Sequence, residues 1–195
     1  MTACLAYGKG DRIYLAADSW GLPVVAAADL PDATANNLSK RLLLDTKVIR
    51  LQRGLDIVVL AAGGLEHWHH VLTRYERRNS PVQAAEEVKK HLENCTSTGN
   101  QVYGLVCGFD PQGIPDCYRV DRLPGSASIT TRREKIEDVQ PLGIGEVVGA
   151  GQKAKSVIDA GGHPLATLVE GIQGLCSKGL SVRTPIHCAV LIRNT

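Results

Sequence analysis

Short apolar runs along the first third of the chain predict strands that pair as hairpins. Residues 2–8 and 12–18 are strand-like and flank the turn sequence GKGD. Residues 46–51 and 55–62 form a second such pair across a short polar link. Two strand-like runs joined by a short turn are typical of an antiparallel hairpin. This part of the chain therefore predicts a sheet built from hairpins.

Helical spacing replaces the strand pattern after these hairpins. Apolar residues recur every three or four positions from Leu65 to Tyr75, which predicts a first helix. The next segment has Ser80 at the N-cap, Pro81 at the first helical position and Gln83 completing a capping box. Two helices are therefore expected in sequence after the first group of strands.

The second half of the chain repeats this order. The segments QVYGLVCGFD and PDCYRVDR predict a strand pair around the turn DPQG. Helices are expected over 152–160 and from Pro164 onward, and a last strand over 187–194. Strands and helices in separate blocks favour antiparallel sheets layered with helices over alternating βαβ units. We therefore predict a single α+β domain over 1–195, a four-layer αββα sandwich of two mainly antiparallel sheets flanked by helices.

One region does not follow the pattern. Residues 20–45 are rich in proline, alanine and asparagine and have weak periodicity, which predicts a long loop or an insertion. Elsewhere the composition fits one globular domain, because 195 residues with 44% hydrophobic side chains suffice to bury a core.

Charge and hydropathy exclude two classes of partner. The 22 basic and 20 acidic residues nearly cancel, and no basic run is interleaved with aromatic residues, so nucleic-acid binding is not expected. The longest apolar stretch, over 57–65, is about nine residues long, whereas a membrane helix needs roughly twenty. The N-terminus also lacks the pattern of a secretion signal. We expect a cytoplasmic protein that is not associated with a membrane.

Cysteine and histidine positions do not predict a cofactor or a metal site. The six cysteines form no C-x-x-C pair and several lie in strand-like runs, so we expect reduced and mostly buried thiols, Cys4 among them. In the segment EHWHH, Glu66 and His70 lie one helical turn apart, a geometry that can bind a metal. No further ligands are evident there. The favoured interpretation is a group of exposed histidines on the first helix.

The residue that follows Met1 suggests a nucleophile. An N-terminal threonine carries its own base, because its free α-amino group titrates near pH 8 and lies within reach of its own hydroxyl. Removal of Met1, which is favoured by the small residue after it, would expose Thr2 in this way.

Three further segments fall where such a nucleophile needs support. A hairpin with its turn near residues 8–11 brings Asp18 beside Thr2. Lys47 begins the third predicted strand, where a buried ammonium would lower the pKa of the hydroxyl. The sequence AAGG at 61–64 ends the fourth strand where a helix begins, and the N–H groups at a helix N-terminus can bind an oxyanion.

These segments resemble those of the proteasome β-type subunits and the bacterial HslV peptidase, which are N-terminal nucleophile hydrolases. Thr2, IYLAADS with Asp18, TKVIRL with Lys47 and AAGGLEHW with Gly63 match the nucleophile, aspartate, lysine and oxyanion-glycine segments. The resemblance implies a threonine endopeptidase in which Thr2 attacks the peptide carbonyl, Asp18 and Lys47 set the local charge and the Gly63 N–H holds the oxyanion.

The resemblance also implies an assembly. It predicts a homo-oligomeric ring of six or seven subunits, single or stacked as a double ring, that takes peptides or unfolded proteins. An ATPase unfoldase is the candidate partner of such a ring.

Two departures leave other functions open. The family's Gly-Ser-Gly turn is aligned with residues 149–151, where Ala150 supplies no hydroxyl. The segment 179–185 lacks the family's aspartate followed three residues later by serine, and Ser181 and Thr184 are partial substitutes. The alternatives are a ring-forming scaffold or binding protein without proteolytic activity, and an amidase or transpeptidase that uses the same threonine.

Overall fold

The computed structural model describes most of the chain outside the predicted insertion. The predictions about Met1 and about residues 20–45 lie outside the described part. The described residues are 2–19, 47–52, 57–63, 65–95, 101–122, 126, 128–143, 145–178, 180, 182 and 184–193.

These residues contain nine strands and four helices. The strands are β1 (Cys4–Lys9), β2 (Arg12–Ala17), β3 (Val48–Gln52), β4 (Ile57–Gly63), β5 (Val102–Phe109), β6 (Pro115–Arg122), β7 (Thr130–Glu134), β8 (Gln140–Leu142) and β9 (His187–Ile192). The helices are α1 (Leu65–Arg74), α2 (Pro81–Glu93), α3 (Glu146–Asp159) and α4 (Pro164–Ser177).

The strands form two antiparallel sheets, which confirms the predicted α+β class. One sheet has the order β8-β1-β2-β9 and the other β3-β4-β5-β6-β7. The predicted first hairpin is present, with Cys4 opposite Ala17 and Lys9 opposite Arg12. Its turn places Gly10 at a φ of 63°, a left-handed conformation that glycine adopts without strain.

Three apolar cores lie between the layers of strands and helices. The core between the two sheets contains Leu15 of β2 and Leu60 of β4. A second core joins Leu5 of β1 to helices α3 and α4, and a third joins Val59 of β4 to α1 and α2. Because side chains alternate between the faces of a strand, each sheet contributes to two of these cores. The arrangement is consistent with a sandwich of two sheets between pairs of helices.

The capping box predicted for α2 is present in a slightly shifted form. The Ser80 hydroxyl accepts a hydrogen bond from the Gln83 amide, as expected. The Gln83 side chain accepts a bond from the amide of Asn79, one residue before the cap. The first interaction satisfies an N–H group that a helix start otherwise leaves unpaired, and the second holds the residue before the cap against the first turn.

The predicted start of α3 is wrong by six residues. The helix begins at Glu146 and not at residue 152, because Gly149 and Gly151 lie inside the helix and do not form a turn. A Cβ at position 151 would lie 3.4 Å from Pro141 Cβ and 3.6 Å from Leu5 Cδ2, so the glycine allows the helix to approach the sheet closely.

Burial and hydropathy of the described residues bear on two further expectations. All six cysteines are free and four of them are buried, as expected for reduced core thiols. Among the described segments, no helix combines the length and the apolar character that crossing a membrane requires.

Trp68 of α1 packs closely against Gly104 of β5, in the sheet β3-β4-β5-β6-β7. Trp68 is fully buried, and its Nε1 donates a hydrogen bond to the carbonyl of Ala62 at 2.9 Å. A Cβ at position 104 would lie 2.6 Å from Trp68 Cη2, closer than carbon atoms can approach without displacement. Because the hydrogen bond restrains the indole, the ring cannot move aside freely.

We therefore expect Gly104→Ala to lower the free energy of unfolding by about 2 kcal/mol through overpacking. Gly174→Ala is the matched control, because a Cβ at that position in α4 meets no heavy atom within 4 Å. The control should raise the free energy of unfolding by about 0.5–1 kcal/mol. Urea denaturation measures both, and an unchanged midpoint for Gly104→Ala would contradict the packing described.

Candidate functional site

A buried ion pair joins the end of β2 to the start of β3. Asp18 directly follows β2 and Lys47 directly precedes β3, so strand ends from both sheets meet here. Lys47 Nζ donates to Asp18 Oδ1 at 2.6 Å, and the two side chains are 3% and 0% exposed. Both charges are therefore removed from water. In the protein interior the attraction between them is stronger than at the surface.

Thr2 is connected to this pair by the backbone of the next residue, Ala3. The amide of Ala3, which belongs to the Thr2–Ala3 peptide bond, donates to Asp18 Oδ1 at 2.9 Å. The amide of Asp18 in turn donates to the carbonyl of Ala3 at 2.9 Å. One carboxylate oxygen thus accepts from both the Ala3 amide and Lys47. Thr2 itself is half-buried.

Gly63 ends β4, and α1 begins at Leu65, so the predicted strand-to-helix junction is present. Gly63 has a φ of 98°, and a Cβ there would lie 2.1 Å from the carbonyl oxygen of Gln101, so only glycine fits. The amide of Ala61 donates to the carbonyl of Lys47 at 2.8 Å, which ties this junction to the ion pair. Gly63 is thus on the same strand, β4, as the residue that bonds to the Lys47 backbone. Its role towards an oxyanion stays a prediction.

The glycine turn beside Thr2 is not the one that the sequence suggested. Residues 149–151 lie within α3, so their predicted role as the turn is wrong. The turn between β8 and α3 holds Gly143 and Gly145, with φ values of 150° and 56°. A Cβ on Gly143 would lie 2.6 Å from the carbonyl oxygen of Thr2. The residue between these glycines is Ile144, so the hydroxyl expected in the family is absent here too.

Ser181 and Thr184 are the two substitutes proposed for the missing aspartate and serine. Thr184 is exposed. Ser181 lies outside the described residues.

Comparison with known proteins identifies no family. No protein-family model matches the chain, and no curated protein is significantly similar to it. The likeness to proteasome β-type subunits therefore rests on the sequence segments around Thr2, Asp18, Lys47 and Gly63.

Cys4 lies near the pair but is not available as a nucleophile. It is fully buried, and burial raises the pKa of its thiol far more than the nearby Lys47 lowers it. A neutral, inaccessible thiol does not react as a thiolate does.

The sequence analysis missed two polar residues at this end of β2. The Ser19 hydroxyl donates to the carbonyl of Pro185 at 2.6 Å and lies 3.2 Å from His187 Nε2. Ser19 is 3% exposed although it is polar. The positions are 168 residues apart, so no local pattern relates Ser19 to His187. Only the pairing of β2 with β9, which sets Ala17 opposite His187, brings them together.

The sequence suggested that the histidines on α1 are exposed, and for His67 and His70 this is wrong. His67 is fully buried and His70 is partly buried. The side chain of Glu66 lies outside the described part of the chain. Within that part, no three histidine, cysteine or acidic side chains come together as metal ligands.

The ion pair has one polar atom that the described residues leave unsatisfied. Asp18 Oδ2 is buried and accepts no hydrogen bond from them. Burying a carboxylate is costly when one oxygen accepts two hydrogen bonds and the other accepts none.

We expect Lys47→Met to lower the free energy of unfolding by about 3–5 kcal/mol, because it leaves the Asp18 carboxylate buried without its partner charge. The double variant Lys47→Met/Asp18→Asn should be more stable than this single variant. It buries no charge, and the asparagine oxygen can still accept from Ala3.

The control is Lys155→Met, which removes a 2.5 Å contact with Asp159 at the surface of α3. Exposed pairs contribute roughly 0–1 kcal/mol, so this change should have little effect on the denaturation midpoint. A Lys47→Met variant that is as stable as the Lys155→Met variant would show that the Asp18–Lys47 pair is not buried as described.

Proposed function

We propose that this protein is a threonine-type endopeptidase of the N-terminal nucleophile hydrolases, in which Thr2 becomes the first residue when Met1 is removed. The observation that supports the proposal most strongly is the single carboxylate oxygen of Asp18. It accepts hydrogen bonds from Lys47 and from the amide directly after Thr2, at 2.6 and 2.9 Å. In this proposal the α-amine is the base that takes the threonine proton, and the fixed cation beside it favours the deprotonated oxygen.

In the proposed reaction the freed α-amino group of Thr2 takes the proton from Oγ1. The oxygen then forms a bond to the substrate carbonyl carbon, and the Gly63 N–H stabilises the oxyanion. The C–N bond breaks as the leaving amine takes the proton from the α-ammonium group. Water, deprotonated by the same α-amine, then attacks the acyl ester and releases the acid and the free threonine.

Lys47 contributes a positive charge that does not need to move during these steps. Its ammonium stabilises negative charge that develops on the threonine oxygen, and Asp18 holds it in place. Because the pair is buried, its field is weakly screened by water and salt. Lys47 is therefore proposed as an electrostatic stabiliser and Asp18 as the residue that positions it.

The architecture supports this proposal at a coarser level. Two antiparallel sheets with helix pairs packed outside them are compatible with the αββα fold of the N-terminal nucleophile hydrolases, over a single domain of residues 1–195. A cytoplasmic location and an ATPase unfoldase as partner belong to the same proposal.

A scaffold without proteolytic activity is the second candidate. The turn that contacts Thr2 carries Gly143 and Gly145 around Ile144, so it offers no hydroxyl to hold the α-amine. A chain that has lost this support can retain the fold and the assembly without the reaction.

Assembly into a ring of six or seven subunits, single or stacked, is supported by apolar side chains on the surface. Val148 and Val157 of α3 are 38% and 40% exposed, and Val190 and Ile192 of β9 are 37% and 51% exposed. Such side chains become buried when copies of one chain repeat a contact around a closed ring.

Thr2→Ala should reduce kcat for N-capped tetrapeptide aminocoumarins at least about a hundredfold, since only the attacking oxygen is lost. Thr2→Ser is the matched control, because it keeps both the oxygen and the α-amine. It should retain activity within about one order of magnitude, a loss of roughly 1.4 kcal/mol in the barrier. Equal rates in the wild type and Thr2→Ala would refute the proposed nucleophile.

Size-exclusion chromatography with light scattering at micromolar concentration tests the assembly. We expect a mass six or seven times the 20.9 kDa of one chain, or twice that for a stacked ring. A single species of about 21 kDa would exclude the ring.

A further inference from the structure

Two consecutive hydrogen bonds connect the end of β2 to the start of β9. The Ser19 hydroxyl donates its proton to the carbonyl of Pro185 at 2.6 Å. His187 Nε2 lies 3.2 Å from the same oxygen. Because the hydroxyl has one proton and uses it on Pro185, the histidine must be the donor in the second bond. The chain therefore runs from His187 through Ser19 to Pro185.

These hydrogen bonds lie directly next to the candidate site. Ser19 follows Asp18, and the backbone of Asp18 is fixed to β1 by its bond to the carbonyl of Ala3. On the other side, β9 pairs with β2 and sets Ala17 opposite His187. Asp18 is thus held between two anchors, one on the nucleophile strand and one on β9.

Ser19 is not itself suited to attack a substrate. It is 3% exposed, and its proton is committed to a backbone carbonyl. A nucleophilic serine needs the opposite arrangement, with its proton directed to a base and its oxygen open to the substrate. The bond from His187 therefore serves to orient Ser19.

We propose that Ser19 and His187 are positioning residues, which hold Asp18 and through it Lys47 in register with Thr2. This inference rests on the proposed function for its effect on catalysis. The physical reason is the sensitivity of catalysis to distance, since a misplacement of about 1 Å can cost about a hundredfold in rate. If the bonds among Ser19, Pro185 and His187 were lost, the ladder would still pair Ala16 with Cys188, but the backbone that carries the Asp18 carboxylate would lose these two restraints next to it.

The test replaces the donor and then restores it. His187→Leu removes the hydrogen bond, and His187→Gln keeps an N–H near the position of Nε2. With N-capped tetrapeptide aminocoumarins, His187→Leu should lower kcat about 10- to 100-fold and leave KM within about twofold. His187→Gln should recover most of kcat. Val82→Thr, at an exposed position of α2, is the control and should behave as wild type.

A second readout does not depend on activity. The Ala3 amide donates to Asp18 Oδ1, so its hydrogen exchange reports whether the carboxylate is in place. Exchange at Ala3 should be faster in His187→Leu than in the wild type or His187→Gln. Ser19→Ala removes the bond from His187 and the bond to Pro185 with a smaller change in volume, and it replaces His187→Leu in both measurements if the latter does not fold.

The outcomes separate the two proposals. Unchanged kcat and unchanged Ala3 exchange in His187→Leu would overturn the positioning role. So would a parallel loss of kcat and melting temperature in both His187 variants, which indicates a general structural role. If the wild type and Thr2→Ala are equally inactive, the proposed function fails, and Ala3 exchange alone then decides whether Ser19 and His187 position Asp18.

Discussion

The buried pair of Asp18 and Lys47 is the interaction on which the rest of the account depends. Two opposite charges at 2.6 Å, both almost fully removed from water, are tolerated because each compensates the other. In proteins generally, replacing a buried ion pair by apolar residues of similar volume is often neutral or stabilising. The cost of this pair, in which Asp18 Oδ2 still lacks a hydrogen bond from the described residues, is consistent with the electrostatic role that we propose for it.

The fold brings the pair together by joining strand ends from two sheets. β1 and β2 supply Ala3 and Asp18 through one antiparallel ladder, and β3 supplies Lys47 from the other sheet. The Ala61 amide, bonded to the Lys47 carbonyl, connects the pair to the junction at Gly63. The core between the sheets keeps these ends in register, because any relative shift would have to disrupt close packing. The position of Thr2 beside the pair is therefore a consequence of the whole sandwich.

The parts of this arrangement that the sequence predicted are those with a local cause. The GKGD turn determines the register of the first hairpin, and that register places Asp18 next to Ala3. The capping pattern at Ser80 and the spacing from Leu65 likewise gave α2 and α1. The start of α3 was missed because Gly149 and Gly151 indicate a turn by propensity, whereas close packing on Leu5 and Pro141 keeps Gly151 helical. β7 and β8 are short and have no clear period, so no pattern marked them.

Contacts between distant residues explain the remaining errors. Ser19 and His187 meet only through the pairing of β2 with β9, and Gly143 approaches Thr2 only because β8 pairs with β1. Neither contact has a counterpart in the local sequence. The chemistry that we propose at Thr2 also depends on a step outside the fold, the removal of Met1.

The most direct test of the account is the intact mass and peptide map of the protein before and after reaction with a peptide boronate or β-lactone, electrophiles that react with an activated hydroxyl. We predict a chain that lacks Met1 and a single adduct that maps to Thr2 with the β-lactone. A chain that retains Met1, or one that forms no adduct at Thr2 although Met1 is absent, would contradict the claim that Asp18 and Lys47 prepare this threonine as a nucleophile.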